Sequence, residues 1–119
     1  MKISTIKELL GAEVLCGENL LDKEVNSACG SDMMSDVLAF VKDHAVLLTG
    51  LVNPQVVRTA EMMDIDCIVF VRGKIPPENV IELAESMDIA ILSTPERMYV
   101  ACGKLYAGGL AGGSVISDE

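Results

Sequence analysis

The sequence predicts a three-layer α/β/α domain whose sheet is mostly parallel. Three short apolar runs, at 45–49, 67–71 and 89–92, lack the polar alternation of a half-exposed strand, so they read as strands covered on both faces. Each is followed by a proline-marked helix start, which makes three strand–helix units of about 22–24 residues. Half of the residues are hydrophobic but only 3% are aromatic, as suits a compact sheet packed with small aliphatics. Alternation of this kind builds a parallel sheet through right-handed crossovers.

The elements follow in order. Thr5 to Leu10 has the pattern of a short helix, with Ser4 as its cap and Gly11 as its stop. Glu13-Val-Leu-Cys16 and Val25-Asn-Ser-Ala-Cys29 read as strands on either side of a turn at Gly17-Glu18-Asn19. Ser31 caps the next helix, where Asp32 in the first turn suits the helix dipole. Met34, Val37, Leu38 and Val41 form its apolar face. After the first apolar run, Asn53-Pro54 opens a helix to about Asp64, with Val56, Val57, Ala60 and Met63 at helical spacing. Pro76-Pro77 opens another, carrying Val80, Ile81, Leu83, Ala84 and Met87. Ser93-Thr94-Pro95 opens the last, with Met98, Cys102 and Leu105 on one face and Gly108-Gly109 as its stop. Residues 1–110 form one domain, and 111–119 are expected to be a flexible tail.

Composition excludes several functions. Nine basic residues stand against 18 acidic ones, a formal net charge of -9. Phosphate-backbone binding needs clustered Lys and Arg, and single-strand binding needs aromatic platforms, so no nucleic-acid partner is expected. No run approaches the roughly 18 apolar residues of a membrane span. The first ten residues lack the apolar core of a signal peptide, which points to the cytoplasm.

Signatures of catalysis are missing. There is no G-x-S-x-G, and Gly103-Lys104 lacks the earlier Gly and the following Ser or Thr of a phosphate-binding loop. His44 is the only histidine and reads as a surface-loop residue. Asp64/Asp66 and Glu82/Glu85 read as a solvated acidic face. Cys16, Cys29, Cys67 and Cys102 make no C-x-x-C pair and are expected to be small buried thiols in a reducing compartment. No catalytic residue, metal or cofactor is expected.

One constellation does point to a ligand. Ligands of open parallel sheets bind beyond the carboxyl ends of the strands. Those ends hold Thr49, Gly50 and Asn53; Arg72, Gly73 and Lys74; and Ser93, Thr94 and Arg97. Three of the nine basic residues therefore meet at one edge, beside three helix N-termini. A small anionic or nucleotide ligand fits that chemistry.

Four segments, in order, carry a family resemblance: Gly30-Ser-Asp-Met-Met-Ser-Asp-Val-Leu38, Leu47-Leu-Thr-Gly50, Ile68-Val-Phe-Val-Arg-Gly73 and Leu92-Ser-Thr-Pro95. Together they resemble the DRTGG domain over roughly residues 6–110. The family's Asp-Arg-Thr falls at Asn53-Pro54-Gln55 here, and its Thr-Gly-Gly falls at Val71-Arg72-Gly73, which keeps only the last Gly. The resemblance implies a fold similar to the N-terminal domain of HPr kinase/phosphorylase and, more distantly, to those of the Mur ligases. Relatives are fused to CBS domains in regulatory pyrophosphatases and to phosphotransacetylases, and stand-alone versions occur in anaerobic bacteria, some beside iron-hydrogenase genes. It thus implies a regulatory or dimerising module.

Three functions remain in view. The first is a non-catalytic regulatory module that forms a homodimer and binds a small anionic or nucleotide ligand at the strand ends. The alternative is an assembly subunit that binds a protein partner and no small ligand, with Met33, Met62 and Tyr106 as contact candidates. The last is a cysteine-dependent metal protein or enzyme.

Overall fold

The computed structural model describes residues 1–40 and 44–112. The elements run α1 (Ile3–Leu10), β1 (Glu13–Cys16), a 3-10 turn (Glu18–Leu20), β2 (Ser27–Gly30), α2 (Met34–Phe40), β3 (Ala45–Thr49), α3 (Pro54–Met62), β4 (Cys67–Phe70), α4 (Glu78–Ser86), β5 (Ala90–Ser93) and α5 (Met98–Ala107). The five strands form one sheet in the order β1-β5-β4-β3-β2. Strands β2 to β5 are parallel, and β1 pairs antiparallel with β5. The α/β/α class expected from the sequence is the class observed.

The unalternated runs became the sheet interior for the reason given by their pattern. Every residue of β3, β4 and β5 is buried. Val46, Leu48, Cys67, Val69, Ala90 and Leu92 face one core, with Ile3, Ile6 and Leu10 of α1 and Ala101 and Leu105 of α5. Leu47, Ile68, Phe70 and Ile91 face the other, with Met34 and Val37 of α2, Val56, Val57 and Ala60 of α3, and Val80 and Ala84 of α4. Each face is thus filled by alternate residues of the same strands. The helices stay out of the sheet and close both sides.

Several local expectations need correction. The first helix begins at Ile3 with Lys2 as its N-cap, so Ser4 lies inside it. The backbone there is fixed by tertiary bonds instead: the Ile3 and Ser4 N–H groups donate to the carbonyls of Lys23 and Leu21. The second repeat strand, 67–70, stops one residue short of its apolar run, and the third, 90–93, is shifted by one residue from its run. The last helix starts at Met98, not at Ser93-Thr94-Pro95. Thr94 cannot cap it, because its hydroxyl is drawn into the core (below). The two early strands do not meet across their turn but lie on opposite edges of the sheet. Leu38 is partly exposed, and Val41 lies outside the described residues. Ala111, assigned to a free tail, accepts a hydrogen bond from the Ala28 N–H at 3.0 Å; residues 113–119 lie outside the described residues.

Two polar expectations also change. Asp66 is not solvated: its residue is 8% exposed, and its carboxylate contacts Lys23 Nζ and His44 Nδ1, each at 3.1 Å. His44 is exposed, as expected, but reaches back to this carboxylate. Cys16 and Cys67 are buried, whereas Cys29 and Cys102 are only half-buried. Among the described residues, no helix is long and apolar enough to cross a membrane.

Candidate functional site

The parallel arrangement of β2 to β5 delivers four strand ends to one edge. Gly30 of β2 pairs with Leu48 of β3, so Asp32 and Gly50, each two residues further on, leave the sheet at the same level. Likewise Thr49 pairs with Phe70, and Phe70 with Ser93. The loops after β2, β3, β4 and β5 therefore converge.

Asp32 dominates the local hydrogen bonding. Its Oδ1 accepts from the Gly50 N–H at 2.7 Å and from the Thr49 hydroxyl at 3.0 Å. The Gly50 N–H holds the Asp32 carboxyl below the usual carboxylate range; the Thr49 hydroxyl, Arg72 and Lys74 add to this. The sequence assigned Thr49 and Gly50 to an external anion, but here an internal carboxylate takes their donors. The signal that finds Asp32 is the parallel pairing of β2 with β3, which adds a fourth strand end to the three recognised from the repeats. The role of a first-turn helix acid does not hold, since the helix starts only at Met34.

The remaining loops clip to one another. Lys74 Nζ donates to the Gly50 carbonyl at 2.8 Å, and the Ser93 hydroxyl donates to the Lys74 carbonyl at 2.8 Å. The Arg72 and Gly73 N–H groups donate to the carbonyls of Glu96 and Thr94 at 2.7 and 2.8 Å. The fully buried Thr94 hydroxyl donates to the Leu10 carbonyl at 2.7 Å, away from any ligand. The Arg72 guanidinium covers Gly50, lying 2.5 Å from where a Cβ would stand, so a side chain at this position would have to displace the exposed Arg72 side chain. Arg72 and Gly73 both take left-handed backbone angles, φ 62° and 68°, which turn the chain sharply at the end of β4.

Most of the nine expected site residues come together. Thr49, Gly50, Arg72, Gly73, Lys74, Ser93 and Thr94 are joined directly or through one shared partner. Asn53 and Arg97 flank them as the N-cap residues of α3 and α5, and the Arg97 side chain is exposed. Asn53 makes no side-chain cap bond: the Val56 N–H it would serve donates instead to its own carbonyl at 3.1 Å. Its Oδ1 is buried without a partner among the described residues. The side chains of Arg72, Lys74 and Arg97 are what the edge offers an anion; the backbone donors of Gly50, Arg72 and Gly73 are spent internally.

Asp32→Asn tests the internal anion. A depressed folded-state value means that the carboxylate stabilises the fold above about pH 4 and that this contribution disappears as the pH falls through the depressed value. The variant should lose about 1 kcal/mol at pH 7, a figure discounted for the exposure of the group, and less at pH 3. Urea unfolding at both values measures it; an equal loss at both would remove the charge from the explanation.

Elsewhere the chemistry is sparse. Among the described residues, no group of three or more His, Cys, Asp or Glu side chains could hold a metal ion. Burial pushes all four thiols up, Cys67 furthest, which disfavours the reactive thiolate.

The family model of the DRTGG domain matches residues 5–106. The chain belongs to the DRTGG domain family. A solved structure similar to this DRTGG domain is that of the CBS and DRTGG domains of the regulatory region of Clostridium perfringens pyrophosphatase, complexed with its activator diadenosine tetraphosphate. The similarity has a TM-score of 0.70 at 17% identity and covers 87% of this chain. It spans 45% of the pyrophosphatase chain, so this DRTGG domain corresponds to less than half of that structure. No curated protein matches the chain.

Proposed function

We propose that this DRTGG domain is a non-catalytic regulatory module that self-associates and takes a small anionic ligand, of the nucleotide class, at the carboxyl ends of its parallel strands. One observation carries the ligand reading: in a chain of net charge -9, Arg72 and Lys74 lie against Gly50 at the carboxyl ends of the strands, and Arg97, the N-cap residue of α5, belongs to the next loop on the same edge. Asp32 neutralises part of that charge, and the surplus favours phosphate. The pyrophosphatase regulatory region, solved with diadenosine tetraphosphate, supports the nucleotide class. The four free thiols support action in a reducing compartment, the cytoplasm.

A thermal-shift series with inorganic phosphate, AMP, ATP and diadenosine tetraphosphate tests the reading. At least one nucleotide should raise the melting temperature. Arg72→Ala should weaken its binding about tenfold, the loss of one charge-assisted contact. Because Arg72 is exposed and only one of several groups acting on Asp32, the variant should melt slightly below the wild type when no ligand is added. Absence of any shift, with both proteins behaving alike, removes the ligand. An assembly subunit without a small ligand is the second reading, and the exposed apolar face of α5 favours it.

A further inference from the structure

We infer that the exposed face of α5 is where two copies of this chain meet, crossing about a two-fold axis near Gly103. The inference rests on the self-association part of the reading above and gives it a surface. Helix α5 is apolar nearly all round, yet only Ala101 and Leu105 are buried. Tyr99 is 88% and Tyr106 76% exposed, and Val100 lies between them in sequence, also exposed. A helix that is apolar on every face belongs in a core or an interface. Tyrosine in particular offers a large contact area at small entropic cost and is enriched at interface centres.

The shape of the face fits a copy of itself. Tyr99, Val100, Cys102, Gly103, Lys104, Tyr106 and Ala107 line an open groove of about 660 Å³. Its floor is Gly103, where an added Cβ would meet nothing within 4 Å. Residues four and three positions on either side, Tyr99 and Tyr106, are the walls. The same patch therefore offers both projecting side chains and a hollow, which is the requirement of an isologous contact. Met33 and Met62 are also exposed, but neither has an aromatic residue within one helical turn of it in sequence.

Charge selects the same occupant. Residues 98–107 contain no acid, and their one cation, Lys104, is paired with Glu96 at the rim. The face is thus electrically neutral within a chain of net charge -9. Two such chains repel where acid meets acid, and the α5 face lets them approach without that cost. Each Lys104–Glu96 pair also presents both signs to its two-fold equivalent. A single helix face gives an interface below the standard size of roughly 1,600 Å², so micromolar association is expected.

Sedimentation velocity from about 5 to 200 μM tests this. The wild type should pass from monomer to dimer across the range. Tyr99→Ser combined with Tyr106→Ser should weaken the dimer at least tenfold, and Gly103→Arg should do the same by filling the hollow. Tyr99, Gly103 and Tyr106 are all exposed positions, so circular dichroism should show unchanged folding. Met62→Ser should leave the dimer intact. A wild type that stays monomeric overturns both the face and self-association, and leaves α5 to a different partner. A dimer that survives the α5 variants overturns the face alone. Nucleotide shifts measured on the same proteins report on the strand-end ligand separately.

Discussion

Gly17→Ala is expected to destabilise the domain by about 3–5 kcal/mol, more than any surface substitution in the chain. Gly17 closes β1 with φ 85°, a left-handed conformation that costs a side-chain-bearing residue about 1–2 kcal/mol. The steric clash costs more. A Cβ at this position would lie 2.6 Å from the Ala90 Cα and 2.8 Å from its Cβ. Neither atom can rotate away. Ala90 opens β5, pairs with Cys67 of β4 and donates its N–H to the Asp66 carbonyl. Relief would require β1 to lift from β5 or β5 to slide against β4. Urea unfolding measures the loss, and a variant within 1 kcal/mol of wild type would show that this crossing is not close-packed.

Thr94→Val is the second large effect, about 2–3 kcal/mol. The two side chains have nearly the same shape, so the change isolates the hydroxyl. That hydroxyl donates to the Leu10 carbonyl at the end of α1 and accepts the Glu96 N–H at 3.2 Å, in a position with no solvent exposure. Valine leaves the buried Leu10 carbonyl without this donor and takes the acceptor from the part-buried Glu96 N–H. Thr94→Ser keeps the hydroxyl and loses one methyl, so it should cost only about 1 kcal/mol. If serine proved as damaging as valine in chemical unfolding, packing and not hydrogen bonding would hold this loop to α1.

These two residues also mark what the sequence could disclose. The repeat strands were legible because a buried parallel strand needs no information beyond an unbroken apolar run. The edge carrying Arg72, Lys74 and Arg97 followed from the repeats alone, since parallel strands send all their carboxyl ends one way. Asp32 was not legible in its true role. An acid two residues past a short strand looks like any helix-start acid, and only the pairing of Gly30 with Leu48 brings it level with Gly50. Thr94 resembled a helix cap for a similar reason: its partner, Leu10, is 84 residues away. Asp66 likewise looked solvated until Lys23 and His44 were brought to it from distant parts of the chain. Local pattern identifies elements, but long-range acceptors are assigned by the order of strands.

The internal use of the Gly50, Arg72 and Gly73 amides has a consequence for selectivity. Phosphate sites that are cast from backbone amides act as rigid moulds and recognise one geometry. This edge has turned its moulds inward and faces outward with a guanidinium and ammonium on long, jointed stems. On such stems the planar guanidinium forks onto two oxygens of an anion, while the ammonium acts as a point charge. A ligand held as proposed would therefore be selected for the negative charge it brings and for a pair of oxygens spaced to fit the Arg72 fork.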